Sequence, residues 1–113
     1  MDENVLVRID SLLEHIDLVL SDTKGINIVE FDEDSVLVRA TCFSISQIGE
    51  QMVNLEKKIG KKYPELPWVY ARNMRNIIVH DYEKIDLEQV SSTIMHDLAK
   101  LKEDFANIRK DFE

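Results

Sequence analysis

The chain has 113 residues, enough for one domain, 1–113, with a core of its own. Its 44% hydrophobic content supports globular folding, and Gly 3 and Pro 2 are too few for the turns of an all-β chain, so an all-α fold is expected. A formal net charge of -8 excludes a protein that coats nucleic acid indiscriminately, while leaving room for a local basic cleft.

The first predicted helix runs from about Glu3 to Asp22, with Asp2 or Asn4 as cap. Val5, Ile9, Leu12, Leu13, Ile16, Val19 and Leu20 recur at helical spacing. His15 falls beside this stripe with no ligand-type residue one turn away, and is read as structural. The N-terminus has no basic region followed by an apolar run, and no stretch is apolar for long enough to span a bilayer. Gly25 ends the helix, and INIVEFDED is read as a loop with Phe31 turned back to the core. Its carboxylates, Glu30, Asp32, Glu33 and Asp34, lack calcium-loop spacing and read as a solvated run before the next helix.

The second helix is predicted from about Ser35 to Ile59, with a seam of Thr41, Ile45, Ile48, Met52, Leu55 and Ile59. Ala40, Ser44 and Gly49 are small enough to let a neighbouring helix approach closely. Cys42 is the only cysteine, which excludes an internal disulfide and fits a reducing, cytoplasmic setting; it is expected to pack as a small apolar residue. Gly60 stops this helix. Lys57, Lys58, Lys61 and Lys62 gather at its end, either offsetting its dipole or forming a positive rim with Arg72 and Arg75. Pro67 suits the first turn of the third helix, which starts at Pro67 or Trp68 and reaches about His80. In the last helix Asp86 is the predicted N-cap, Gln89 completes a capping box, and Ile85 staples onto Val90. Ile94, Leu98, Leu101, Phe105, Ile108 and Phe112 then form a seam, with His96 off it and exposed. Four main helices in an up-and-down bundle follow.

The third helix carries the chemistry. At about 100° per residue, Tyr70, Ala71, Met74, Ile77 and Ile78 gather on a core side. Arg72, Asn76 and His80 stack on the opposite face, flanked by Arg75 and Asn73. Val69 and Val79 lie among them, where a solvated face is more often polar, so something is expected to cover this face. Guanidiniums grip phosphate oxygens through paired hydrogen bonds, an amide orients a hydroxyl, and an imidazole moves protons near neutrality. Phosphodiester chemistry fits that set. Taken alone, exposed arginines and a helix-terminal histidine offsetting the dipole are the more frequent arrangement.

The order Arg75, Asn76, three apolar residues, His80, one residue, Tyr82 resembles the signature of the HEPN superfamily, specifically its HepT-like toxin ribonucleases. YPELPW before it and KIDLEQV and DLAKL after it are similar to that family in the same order. FDEDSVLVRATCFSISQIGEQMVNL resembles the family's second helix, most clearly at Ile48, Gly49 and Glu50. The resemblance spans about residue 30 to the end, and the first helix matches in character only.

It implies a metal-independent endoribonuclease with no cofactor, acting as a homodimer whose motif helices face each other across a cleft. In that picture Arg75 holds the scissile phosphate, and His80 is general base or acid for attack by the ribose 2′-hydroxyl. Asn76 orients the hydroxyl or His80, Tyr82 binds phosphate or positions His80, Arg72 binds RNA, and Glu50 orients Arg75 or Arg72. The implied product is a 2′,3′-cyclic phosphate. The implied partner is a nucleotidyltransferase antitoxin that adenylylates Tyr82. A reading of another class is a non-catalytic helical module that binds nucleotide or that nucleotidyltransferase.

Overall fold

The computed structural model describes residues 3–113. Every regular element among them is helical: α1 (Glu3–Asp22), α2 (Val36–Ile59), α3 (Trp68–His80), α4 (Leu87–Ser92) and α5 (Leu98–Lys110). A π-helical turn, Thr93–Asp97, joins α4 to α5, so these two and the turn form the fourth column of the bundle. Short 3-10 turns occupy Ile28–Glu30 and Tyr82–Lys84.

Local chemistry fixes the helix ends. Gly25 takes φ 73° just past α1, a conformation that costs a glycine little. Ser35 caps α2 by accepting a hydrogen bond from the Val38 N–H at 3.2 Å, and Asp86 caps α4 by accepting from Glu88 N–H at 3.0 Å and Gln89 N–H at 3.4 Å. The Gln89 side chain does not return the bond, so the predicted capping box is half made. Of the two expected starts for α3 the structure takes Trp68, with Pro67 preceding it at the cap position. The Asp2 cap lies outside the described residues.

Cross-links show the up-and-down order. Arg8 Nη1 donates to Gln51 Oε1 at 3.1 Å while His15 packs edge-on against Phe43, so α1 and α2 run antiparallel. Arg109 grips Asp10, and Lys102 reaches Asp17 at 2.7 Å, which sets α5 antiparallel to α1. At 1.5 Å per residue α2 is about 36 Å long, against a longest molecular extent of 44 Å. The core is the predicted stripe of α1 (Val5, Ile9, Leu12, Ile16, Val19) closed over by Val38, Ile45, Ile48, Met52 and Leu55 from α2 and by Leu98, Leu101, Phe105 and Ile108 from α5. Trp68 fixes the start of α3 by packing edge-on against Phe105 and donating its indole N–H to the Tyr63 carbonyl at 2.9 Å.

Three expectations need correction. Phe31 is exposed and Ile28 fills the core under the loop instead, because the 3-10 turn capped by Asn27 rotates Ile28 inward. Ala40 is exposed and receives no helix, whereas Ser44 and Gly49 are buried. The last helix is not one unbroken seam. The Thr93 hydroxyl donates back to the Gln89 carbonyl at 3.0 Å and bonds the Tyr70 hydroxyl at 2.6 Å. The backbone there makes room for one extra residue, Leu98 N–H bonding five back to Thr93. The added residue lets Val90 before the turn and Leu98 after it both face the core.

Candidate active site

The face of α3 away from the core carries the motif residues. Trp68, Met74 and Ile78 are buried on the inner side with Ala71 and Ile77 half-buried, while Tyr70 sits at the rim, its hydroxyl tied to Thr93. Gly49 lets the outer face be held rigidly. A Cβ at Gly49 would lie 2.7 Å from Arg75 Cβ and 2.9 Å from the Ala71 carbonyl oxygen, so α2 and α3 touch backbone to backbone here.

That approach brings Glu50 under the motif. Arg75 Nη1 donates to Glu50 Oε2, and Arg75 Nε donates to Asn76 Oδ1 at 2.8 Å. A guanidinium only donates, so Asn76 must offer it the carbonyl oxygen and keeps its NH2 group free to donate outward. Arg75 is thus clamped from two sides, its side chain only 20% exposed, with donors left over for an anion. Arg72 is held separately, by Glu56 at 3.3 Å. Of the two arginines that Glu50 was expected to serve, the structure selects Arg75. Glu56 had no sequence signal, since its pairing depends on where the helices cross.

His80 is the last residue of α3, exposed and without a hydrogen-bond partner among the described residues. It lies five residues beyond Arg75, about 7.5 Å further along the axis and about 140° around it. Within one chain the guanidinium and the imidazole therefore stand on opposite edges of the same face. Between those edges lie Asn76 and the exposed Val69 and Val79.

Tyr82 turns away from both. It sits in the 3-10 turn after α3 and donates its hydroxyl to the Glu33 carbonyl at 2.8 Å. Burial pushes its phenol up to about 12, with Cys42 and the carboxylates of Glu33 and Asp34 acting in the same sense. Burial likewise raises the Cys42 thiol to about 11, in keeping with a packing role. Since the folded chain holds the Tyr82 proton more tightly than the ordinary 10.0, this group's contribution to stability is present below pH 10 and lost as pH rises through about 12. An ultraviolet titration comparing the protein with Tyr82→Phe should place the missing phenolate transition near pH 12; a midpoint at 10 would mean that the phenol is free in solvent.

The lysine cluster divides. Lys57 and Lys61 are exposed near the Arg72 end, whereas Lys62 Nζ lies over the rings of Tyr63, at 5.5 Å, and Phe112, at 5.4 Å. No helix among the described residues is long and apolar enough to cross a membrane.

Residues 12–108 match the family described as Ribonuclease HepT-like. The chain is 28% identical over 100 residues to "Putative RNase TTE0752" of Caldanaerobacter subterraneus subsp. tengcongensis, covering 88% of this chain and 89% of that protein. It is 29% identical over 102 residues to "Putative RNase MJ1216" of Methanocaldococcus jannaschii, covering 90% and 84%. To "Probable ribonuclease HepT" of Thermococcus cleftensis it is 28% identical over 102 residues, covering 90% and 93%. No solved structure matches the chain.

Proposed function

This chain belongs to the HepT-like ribonuclease family, and on that premise we propose that it is a metal-independent endoribonuclease toxin whose site is completed by a second copy of the chain. The observation that carries this reading is the division of the motif between two edges of α3. Arg75 is clamped by Glu50 and Asn76 on one edge, and His80 stands on the other without a hydrogen-bond partner among the described residues. Val69 and Val79, 56% and 57% exposed, form an apolar seat between them. A copy seated there face to face supplies the opposing edge, so that one chain's guanidinium meets the other's imidazole.

In such a cleft Arg75 binds the non-bridging oxygens of the scissile phosphate and offsets the charge that builds on them. The 2′-oxygen attacks phosphorus as the P–O5′ bond breaks. His80 takes the proton from the 2′-hydroxyl or returns one to the departing 5′-oxygen. Asn76 donates from its free NH2 to the ribose, Arg72 binds a neighbouring phosphate, and the products are a 2′,3′-cyclic phosphate and a 5′-hydroxyl. Incubating the protein with RNA in the presence of EDTA, followed by end-group analysis, tests this: 3′-phosphate or 2′,3′-cyclic ends are expected, and cleavage that needs a divalent ion or leaves 5′-phosphates would refute it.

Control of the toxin is assigned to a nucleotidyltransferase antitoxin that adenylylates Tyr82. The added phosphate would place negative charge two residues from His80. To accept it, the phenol has to leave the Glu33 carbonyl. Intact mass of the chain coexpressed with that partner should show an adenylyl adduct, absent from Tyr82→Phe; an adduct that survives the substitution places the modification elsewhere.

A further inference from the structure

Beside the motif face, along the seam of α2 and α3, lies a surface groove of about 400 Å³. Its floor is the buried Cys42 and Ile78; Phe43 and Tyr82 contribute rings, Arg39 and Gln47 form the polar rim, and the exposed Val79 closes the end that borders the proposed seat of the second copy. Phe43 is 59% exposed, unusual for an aromatic residue in the middle of a long helix, and His15 steadies its ring edge-on from α1 with centroids 6.3 Å apart. Among the described residues Arg39 uses only Nε, on the Asp34 carbonyl at 3.1 Å, and pairs with no carboxylate. Gln47 is half-buried, and its side-chain amide has no hydrogen-bond partner among the described residues.

We infer that this groove is a nucleobase subsite, in which an unpaired base of the RNA stacks on Phe43 next to the phosphate held at Arg75. The inference rests on the ribonuclease reading. Val79 of the groove lies one turn, about 6 Å, past Arg75 on α3, and Gln47 one turn before Glu50 on α2. The groove therefore ends about one helical turn from the clamped guanidinium, within the reach of one nucleotide. The apolar floor and aromatic wall suit a neutral ring, and single-stranded RNA is commonly recognised by stacking unpaired bases on aromatic side chains. The unpaired Arg39 offers a cation to the next phosphate, and the Gln47 amide offers both a donor and an acceptor to a base edge.

The test uses full-length protein carrying His80→Ala, so that RNA is bound but not cut, and a fluorescent single-stranded oligonucleotide read by anisotropy. Phe43→Leu keeps the apolar bulk but removes the π face, and should weaken binding by roughly fivefold or more, whereas Phe43→Tyr should bind as the parent does. An abasic nucleotide scanned along the oligonucleotide should cost the parent a similar factor at one position and cost Phe43→Leu nothing further there. Equal affinity of Phe43→Leu and the parent overturns the inference. So does a weakened Phe43→Leu that light scattering shows to have lost a dimer which the parent forms, since the groove is then an interface between copies. If the parent does not bind RNA and the unsubstituted protein does not cut it, the ribonuclease reading falls together with the subsite.

Discussion

His80→Ala should lower RNA cleavage by about a hundred- to ten-thousandfold, and Arg75→Ala by about a hundred- to a thousandfold, with helicity unchanged in both. The imidazole is exposed and makes no hydrogen bond among the described residues, so its removal empties no buried cavity and costs stability only within about 0.5 kcal/mol. Arg75→Ala releases Glu50, but that carboxylate is 45% exposed and water replaces the lost partner. Arg75→Lys keeps the charge without the fork that holds Glu50, Asn76 and phosphate at once, and should recover little. Mixing the two inactive chains tests whether the site is shared. If each site takes Arg75 from one copy and His80 from the other, a mixed dimer holds one intact site, and random exchange should restore about a quarter of the activity. Complete inactivity of the mixture, with mixed dimers demonstrated, would place both groups within a single chain's site; full activity of purified His80→Ala would remove the mechanism.

Gly49→Ala should damage activity far more than stability. In a helix interior alanine is favoured over glycine by about 1 kcal/mol. Against this, the new Cβ would stand 2.7 Å from Arg75 Cβ and 2.9 Å from the Ala71 carbonyl, and overpacking of that kind costs about 1–3 kcal/mol. The two terms largely offset, so the net loss in stability should be about 2 kcal/mol at most. Neither clashing atom belongs to the loose end of a side chain, and relief requires α3 to move outward as a body. That motion carries Arg75 away from Glu50 and changes the spacing of the motif face, and misplacement by about an ångström is enough to cost about a hundredfold in rate. Urea unfolding and cleavage rates measured on the same preparation check the two halves of the prediction. A Gly49→Ala protein with the parent's rate would show that α3 is not positioned by this approach.

Features fixed by local information were legible in the sequence. Ser35, Gly25, Gly60 and Asp86 mark helix ends because a cap is settled by atoms a few residues apart, and the α1 stripe reads directly as core. Features in which a local pattern competes with packing were not legible there. Phe31 looks more core-like than Ile28 by bulk, yet the turn capped by Asn27 puts the isoleucine inside. The seam of the last helix hides the π turn because periodicity does not register a threonine hydroxyl that bonds both Gln89 and Tyr70.

The amino-acid order on its own determined an all-helical bundle, the ends of its helices, and a third helix with arginines, asparagine and histidine opposite its apolar side. It was also enough to point to the family. Only the assembled bundle decided that Glu50 clamps Arg75 while Glu56 takes Arg72, that Tyr82 turns to the Glu33 carbonyl, and that Phe43 borders an open groove. The physical reason is reach. Capping and periodicity act within one or two turns of chain, whereas these partners lie 16 to 49 residues apart and meet only where the core's packing sets the helix crossings.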